Sequence, residues 1–175
     1  MTHELRALAT EIRAKGRQLK GYAATFGTET RINDFTEVIA PGAFRASLDQ
    51  GGDILALVDH DAKRVLARTK SGTLRLREDP KGLAFELDLP DTSYGRDVLA
   101  LAERGDVGGM SFAFSVPENG DAWNGNRREL RSVQLVEISV VTAFPAYEGT
   151  EVHSRTRGVA LPPKLAAARK WMESL

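Results

Sequence analysis

The sequence predicts a β-rich α+β fold, a closed or partly open β-barrel of about seven strands with a few short helices packed outside. Three observations carry this expectation. Runs of period two outnumber helical runs, and glycine or proline punctuates the chain about every 8–20 residues, so most connections are of hairpin length. The third is size: 175 residues with 42% apolar content suffice for one domain, which at this length buries roughly two-thirds of its unfolded surface.

The opening stretch through Arg13 fits a helix or a strand, because Leu5, Leu8 and Ile12 suit either spacing. A hairpin turns at Gly16, between EIRA and RQLKGYAATF. Pro41-Gly42 opens a short helix, AFRASL, with Phe44 and Leu48 on one face and Gly51-Gly52 as its stop. The run ILALV at 54–58 is too short for a helix and reads as a strand buried on both faces, ending directly at Asp59-His60-Asp61. TLRLR at 73–77 and LAFELDL at 83–89 alternate cleanly, and EDPKG between them supplies the proline and glycine of a hairpin loop.

Residues 91–104 form the best helical pattern in the middle of the chain. Asp91, Thr92 or Ser93 can cap it, Val98, Leu99, Leu101 and Ala102 make its stripe, and Gly105 ends it. VGGMSFAFSV at 107–116 is a strand with Met110, Phe112, Phe114 and Val116 on one face and Ser111, Ala113 and Ser115 on the other. The polar segment 117–129, around Trp123, reads as an exposed loop. LRSVQLVEISVVT at 130–142 is the longest strand-like run, and strict alternation groups Val133, Leu135, Glu137, Ser139 and Val141. A corner at Phe144-Pro145-Ala146 follows, and an amphipathic helix at 160–175 lies behind Pro162-Pro163. The expected division is an N-terminal segment or first strand at 1–17, a main domain at 18–153 and a C-terminal tail at 154–175.

Composition narrows the function. The 24 basic and 24 acidic side chains cancel, so no global charge argues for nucleic acid or an anionic membrane as partner. The absence of cysteine excludes disulfide scaffolds, thiolate zinc sites and cysteine nucleophiles. No apolar run approaches the roughly 20 residues that span a bilayer, and MTHELRALATEIR lacks the apolar stretch of a signal peptide. No metal or other cofactor is expected: Asp59, His60 and Asp61 point in alternating directions, with no second histidine near in sequence.

Three residues remain for chemistry. His60 stands at the end of a buried strand, where a side chain is held firmly yet reaches a cleft; a solvated surface turn is the other reading. Ser111 follows Gly108-Gly109, which leave room for an approaching backbone or for an oxyanion at main-chain N–H groups; an ordinary small polar strand residue is the other reading. Glu137 shares its strand with apolar neighbours. If its face is inward it needs a donor such as an imidazolium, and if outward it is simply solvated. Together they supply nucleophile, base and orienter. The glycine-flanked elbow of α/β-hydrolases is missing, and the only lysines after Ser111 are Lys164 and Lys170, which disfavours a serine–lysine dyad.

Several segments in consistent order resemble the tailed-phage prohead proteases of the HK97 type, the S78/U35 peptidase grouping, which are similar in fold to herpesvirus assemblins. They are GYAATFGT at 21–28, FTEVIAPGAF at 35–44, LVDHDAKRVLART at 57–69, GTLRLREDPKGLAFELDLPDTSYGRD at 72–97, RGDVGGMSFAFSV at 104–116 and LVEISVVTAFPAYEGT at 135–150. The resemblance implies that His60 is the histidine of the (N/D)HD motif, Ser111 the nucleophile of GMSF and Glu137, in EIS, the third triad member. Asp59 stands where the family commonly has asparagine. The implied fold is herpesvirus protease-like, and the implied activity is serine endopeptidase cleavage of the major capsid protein, its scaffolding domain or a scaffold protein, and of the chain itself. The implied setting is the host cytoplasm, inside the assembling procapsid, with self-association as a further expectation. Oxyanion donors are expected at Gly109 and in the loop Thr142, Ala143 and Phe144. The competing expectations are a non-catalytic capsid-assembly or scaffold-binding module on the same fold and a small-molecule hydrolase using the same triad.

Overall fold

A computed structural model of the chain describes residues 3–10 and 12–143. It begins with β1 (Glu4–Leu8), β2 (Arg13–Lys15), β3 (Gln18–Thr25), β4 (Thr30–Ile32), β5 (Phe35–Ile39) and the short helix α1 (Arg45–Asp49). β6 (Leu55–Val58), β7 (Asp61–Arg68), β8 (Leu74–Glu78) and β9 (Gly82–Asp88) precede the longer helix α2 (Ser93–Arg104). The chain continues with β10 (Gly109–Ser115), β11 (Asp121–Asn124), β12 (Arg127–Leu130) and β13 (Gln134–Val141).

Local chemistry explains most of these boundaries. The Gly95 amide donates to Thr92 Oγ1 at 3.2 Å, satisfying one of the free amides at the start of α2. At its other end Gly105 takes φ +76°, a left-handed cap that side chains resist. β8 and β9 pair antiparallel across the EDPKG loop, as their alternation predicts, and β2 and β3 form the hairpin at Gly16. The opening stretch resolves as a strand, because β1 pairs antiparallel with β10.

The class is mostly β with few helices, but among the described residues no sheet closes into a barrel. The strands pair instead in three open sheets, ordered β1-β10-β13-β6-β7, β11-β12-β5-β4 and β2-β3-β9-β8. Short strands and register breaks at Tyr22/Ala24, Ala56/Leu57, Leu57/Val58 and Ala113/Phe114 interrupt the ladder, and a barrel needs a continuous staggered one. Apolar side chains from all three sheets nonetheless share one core. Leu19, Phe85 and Leu87 meet Met110, Phe112, Phe114, Ile138 and Val140, with Leu130 and Phe44 between. Phe112 stacks on Phe114 at 5.2 Å and takes the edge of Phe44 at 5.5 Å.

Two expectations about local structure are corrected. The polar segment 117–129 is not a loop throughout, because β11 and β12 form a hairpin, with β12 parallel to β5. Nor does alternation run unbroken through β13. Ala113 faces Glu137 whereas Phe114 faces Leu135, so Val136 is an extra residue, a bulge. Leu135 therefore stays on the core side with Phe114, while Glu137 and Ser139 turn to the side of Ala113 and Ser111. The corner at Phe144-Pro145-Ala146 and the tail at 154–175 lie outside the described residues.

Candidate active site

The site starts from a two-residue turn. Val58 of β6 pairs with Asp61 of β7, leaving Asp59 and His60 as the turn, with φ +48° and +61°. Two consecutive positive φ values match the type I′ hairpin turn, whose twist suits the flanking strands and which favours Asn or Asp followed by glycine. Histidine in the second place costs about 1–2 kcal/mol relative to a relaxed backbone. Three clamps hold it. The Asp59 amide donates to the Val140 carbonyl at 3.0 Å, and the His60 amide donates to Ser139 Oγ at 3.1 Å. Thr142 donates its amide and its hydroxyl to the two Asp59 carboxylate oxygens at 2.8 and 2.7 Å. Asp59 thus ties the turn to the end of β13.

β13 supplies the acid. Its bulge turns Glu137 toward the turn, where Oε1 lies 2.5 Å from His60 Nδ1. Ser139 donates its hydroxyl to Glu137 Oε2 at 2.7 Å while accepting the His60 amide. Glu137 is buried and Ser139 has no exposed surface, whereas the His60 side chain is 28% exposed. A carboxylate opposite Nδ1 places the imidazole proton there, leaving Nε2 with a lone pair and able to accept a proton.

Ser111 lies on the neighbouring strand. It is the cross-strand partner of Ser139, and Ala113 is the partner of Glu137, so the alcohol shares a sheet face with the acid. The turn that carries His60 is anchored on that same Ser139. No hydrogen bond joins Ser111 to His60. The Ser111 hydroxyl donates instead to the carbonyl of Arg6 in β1 at 2.8 Å, and the residue is 2% exposed.

The residues expected around the oxyanion are placed as follows. Gly109 takes φ +151°, and a Cβ there would sit 2.3 Å from the Leu8 carbonyl oxygen, so the glycine admits the β1 backbone. The Thr142 amide is engaged by Asp59, Ala143 is exposed, and Phe144 lies outside the described residues.

A buried charge cluster adjoins β1 on the opposite side of the sheet. Arg6 donates twice to Glu37 of β5, at 2.5 and 2.7 Å, and once to Glu4 at 2.8 Å. Arg128 of β12 donates to Glu4 at 2.7 and 3.0 Å, to Glu37 at 3.1 Å and to Asp121 at 2.7 Å. Burial pushes the Glu4 carboxyl up, but hydrogen bonds and charge from Arg128 and Arg6 together hold it below its usual range. Burial pulls the Arg128 guanidinium down, and the bonds to Glu4 and Asp121 more than offset it, leaving it raised.

Among the described residues no group of three or more histidine, aspartate or glutamate side chains could hold a metal ion. None of the described helices is long and apolar enough to cross a membrane. Ser139 was visible in the sequence only as one residue of an alternating run; its part in holding both His60 and Glu137 emerges from the bulge and the turn.

No curated protein matches the chain. The capsid assembly protease gp21 of bacteriophage T4 is similar in fold, with a TM-score of 0.55 at 9% identity, over 80% of this chain and 97% of that one. The family described as caudovirus prohead serine protease matches residues 3–163, and the chain belongs to that family.

Proposed function

We propose that the chain is a serine endopeptidase of phage procapsid maturation working through Ser111, His60 and Glu137. The observation that carries this reading is the buried Glu137 carboxylate 2.5 Å from His60 Nδ1, on the same sheet face as an alcohol one strand away. Ser111 Oγ attacks a peptide carbonyl while His60 Nε2 takes its proton. Glu137 fixes the ring and stabilises the imidazolium, which then protonates the leaving amine. Water, activated by the same imidazole, hydrolyses the acyl-enzyme. In this reading the oxyanion donors fall among the backbone amides of Gly109 and Ala143, since that of Thr142 is engaged by Asp59.

The substrate in this reading is the capsid protein, its scaffolding domain or a scaffold protein, and the chain itself, inside the assembling procapsid in the host cytoplasm. Family membership and the fold shared with a capsid assembly protease support it. A non-catalytic assembly module is the second reading, favoured by the burial of Ser111 and the bond of its hydroxyl to the Arg6 carbonyl. A fluorophosphonate probe decides between them. The first reading expects labelling of Ser111 that disappears in Ser111→Ala and falls sharply in His60→Ala, together with cleavage of capsid protein. Full cleavage by Ser111→Ala protein removes the serine mechanism.

A further inference from the structure

β1 touches Ser111 in the way a peptide would. It lies antiparallel on the outer edge of β10, with Ala7 opposite Ser111, and the Arg6 carbonyl accepts the alcohol's hydrogen bond. Among the described residues it is an edge strand, paired with β10 alone. Four of its five residues are only half-buried, whereas β10 is buried from Gly109 through Ala113 and Phe114. Gly109 lets the visiting backbone come close, since any Cβ there would strike the Leu8 carbonyl oxygen. The one buried residue of β1 is Arg6, and it is held by charge, paired with Glu37 while its guanidinium lies 5.3 Å from the Phe114 ring centre. Two bonds of the cradle that holds Arg6 do not involve β1: Arg128 donates to Glu37 and to Asp121.

We propose that the outer edge of β10 is a peptide-binding lane leading to Ser111, and that the chain's own Glu4–Leu8 is its resident occupant, a strap that must leave before another backbone reaches the alcohol. The lane selects an extended segment with an acidic residue two positions ahead of a basic one. Residues i and i+2 of a strand share a face, so Glu37 takes the cation and Arg128 the anion, as they take Arg6 and Glu4 here. This inference rests on Ser111 being the nucleophile of the proposed protease.

The test locks the strap in the full chain. Leu5 and Ala113 are register partners, and such pairs lie within disulfide reach. Because the chain has no cysteine, the only intramolecular disulfide that Leu5→Cys with Ala113→Cys can form is the intended bridge, and the monomer is isolated before labelling. Fluorophosphonate labelling of Ser111, read by intact mass, is expected to be at least tenfold faster with the bridge reduced than oxidised. Arg6→Ala, which removes the charged anchor while leaving both strands unbridged, is expected to label about tenfold faster than the parent chain. The synthetic peptide HELRALAT should then protect Ser111 in the Arg6→Ala protein, and its analogue with alanine for Glu4 and Arg6 should not. Equal labelling with and without the bridge, or no gain in Arg6→Ala, overturns the strap while leaving the nucleophile intact. Equal protection by both peptides, or by neither, overturns the selection by charge. Absence of labelling in every variant overturns the nucleophile and the strap together.

Discussion

Ser139→Ala separates positioning from packing. The Ser139 hydroxyl makes two bonds, donating to Glu137 Oε2 at 2.7 Å and accepting the His60 amide at 3.1 Å. The first is to a charged group and is worth about 1.5–3 kcal/mol; the second, an amide to a neutral oxygen, about 0.5–1.5 kcal/mol. Alanine removes both with little change in shape, leaving a buried carboxylate oxygen and one amide of a left-handed turn unpaired. Part of that loss appears as stability. In the proposed mechanism the rest falls on catalysis, because the turn aims Nε2 and the carboxylate must hold the ring as it gains a proton. Assigning about 1.4–2.7 kcal/mol to the barrier gives a 10–100-fold drop in turnover. Because Ser139 has no exposed surface, KM should stay within about twofold. The assay is kcat and KM on a capsid-protein substrate with folded enzyme quantified in parallel, alongside thermal unfolding. A lower melting temperature with unchanged kcat per folded molecule would refute the positioning role.

Four further outcomes are expected. Ser111→Ala should lower turnover by about three orders of magnitude or more with the fold retained, checked by peptide cleavage and circular dichroism. Asp59→Ala loses both Thr142 bonds and a residue tolerant of positive φ, and should destabilise by about 1–3 kcal/mol in denaturant titration, with Asp59→Asn recovering most of the loss. Phe112→Ala, deep in the core, should cost about 3–5 kcal/mol of stability by the same titration. The last outcome concerns pH. The Glu4 carboxyl faces Arg6, Arg128, Glu37 and Asp121 and titrates below its ordinary 4.5, so its contribution is complete above that value and is lost as pH falls through the lowered one. Hydrogen exchange of the β1 amides, corrected for intrinsic rates, should therefore accelerate relative to β10 below about pH 4.5, and equal protection of both strands down to global unfolding would contradict it.

What could be read from the sequence followed the strength of its local signals. α2 was legible because Thr92 and Gly105 mark its ends, and β8 and β9 because their alternation is unbroken. β6 showed as an apolar run because it is flanked by β13 on one side and β7 on the other, with the parallel partner typical of a buried strand. β7 was missed because breaks at Ala56/Leu57 and Leu57/Val58 destroy any period against its partner. The β11–β12 hairpin did carry a signal, Asn124-Gly125, with Gly125 at φ +59°, but polar composition masked it. At the site, His60, Ser111 and Glu137 stood out by residue type and order. Ser139, the bulge at Val136 and the clasp of Arg6 by Glu37 did not, because each depends on strands far apart in sequence.

The energetics bear on the choice between a protease and an inert module. An inert scaffold gains nothing from a left-handed Asp59-His60 pair, or from a buried carboxylate that needs Ser139 and His60 as donors. Relaxed or apolar replacements at such positions are often neutral or stabilising. Strain and buried polarity coincide on His60 and Glu137, the proposed base and orienter, which is where a catalytic function would keep them. The hydrogen bond from Ser111 to Arg6 then has a different meaning from that of an inert serine. It parks the alcohol on a carbonyl of the chain itself, at an edge of β10 covered by a half-buried strand whose single buried residue is an arginine. In the proposed reading the closed edge is the resting state of the protease. The relative labelling of strapped and released protein measures how far that rest state is from activity.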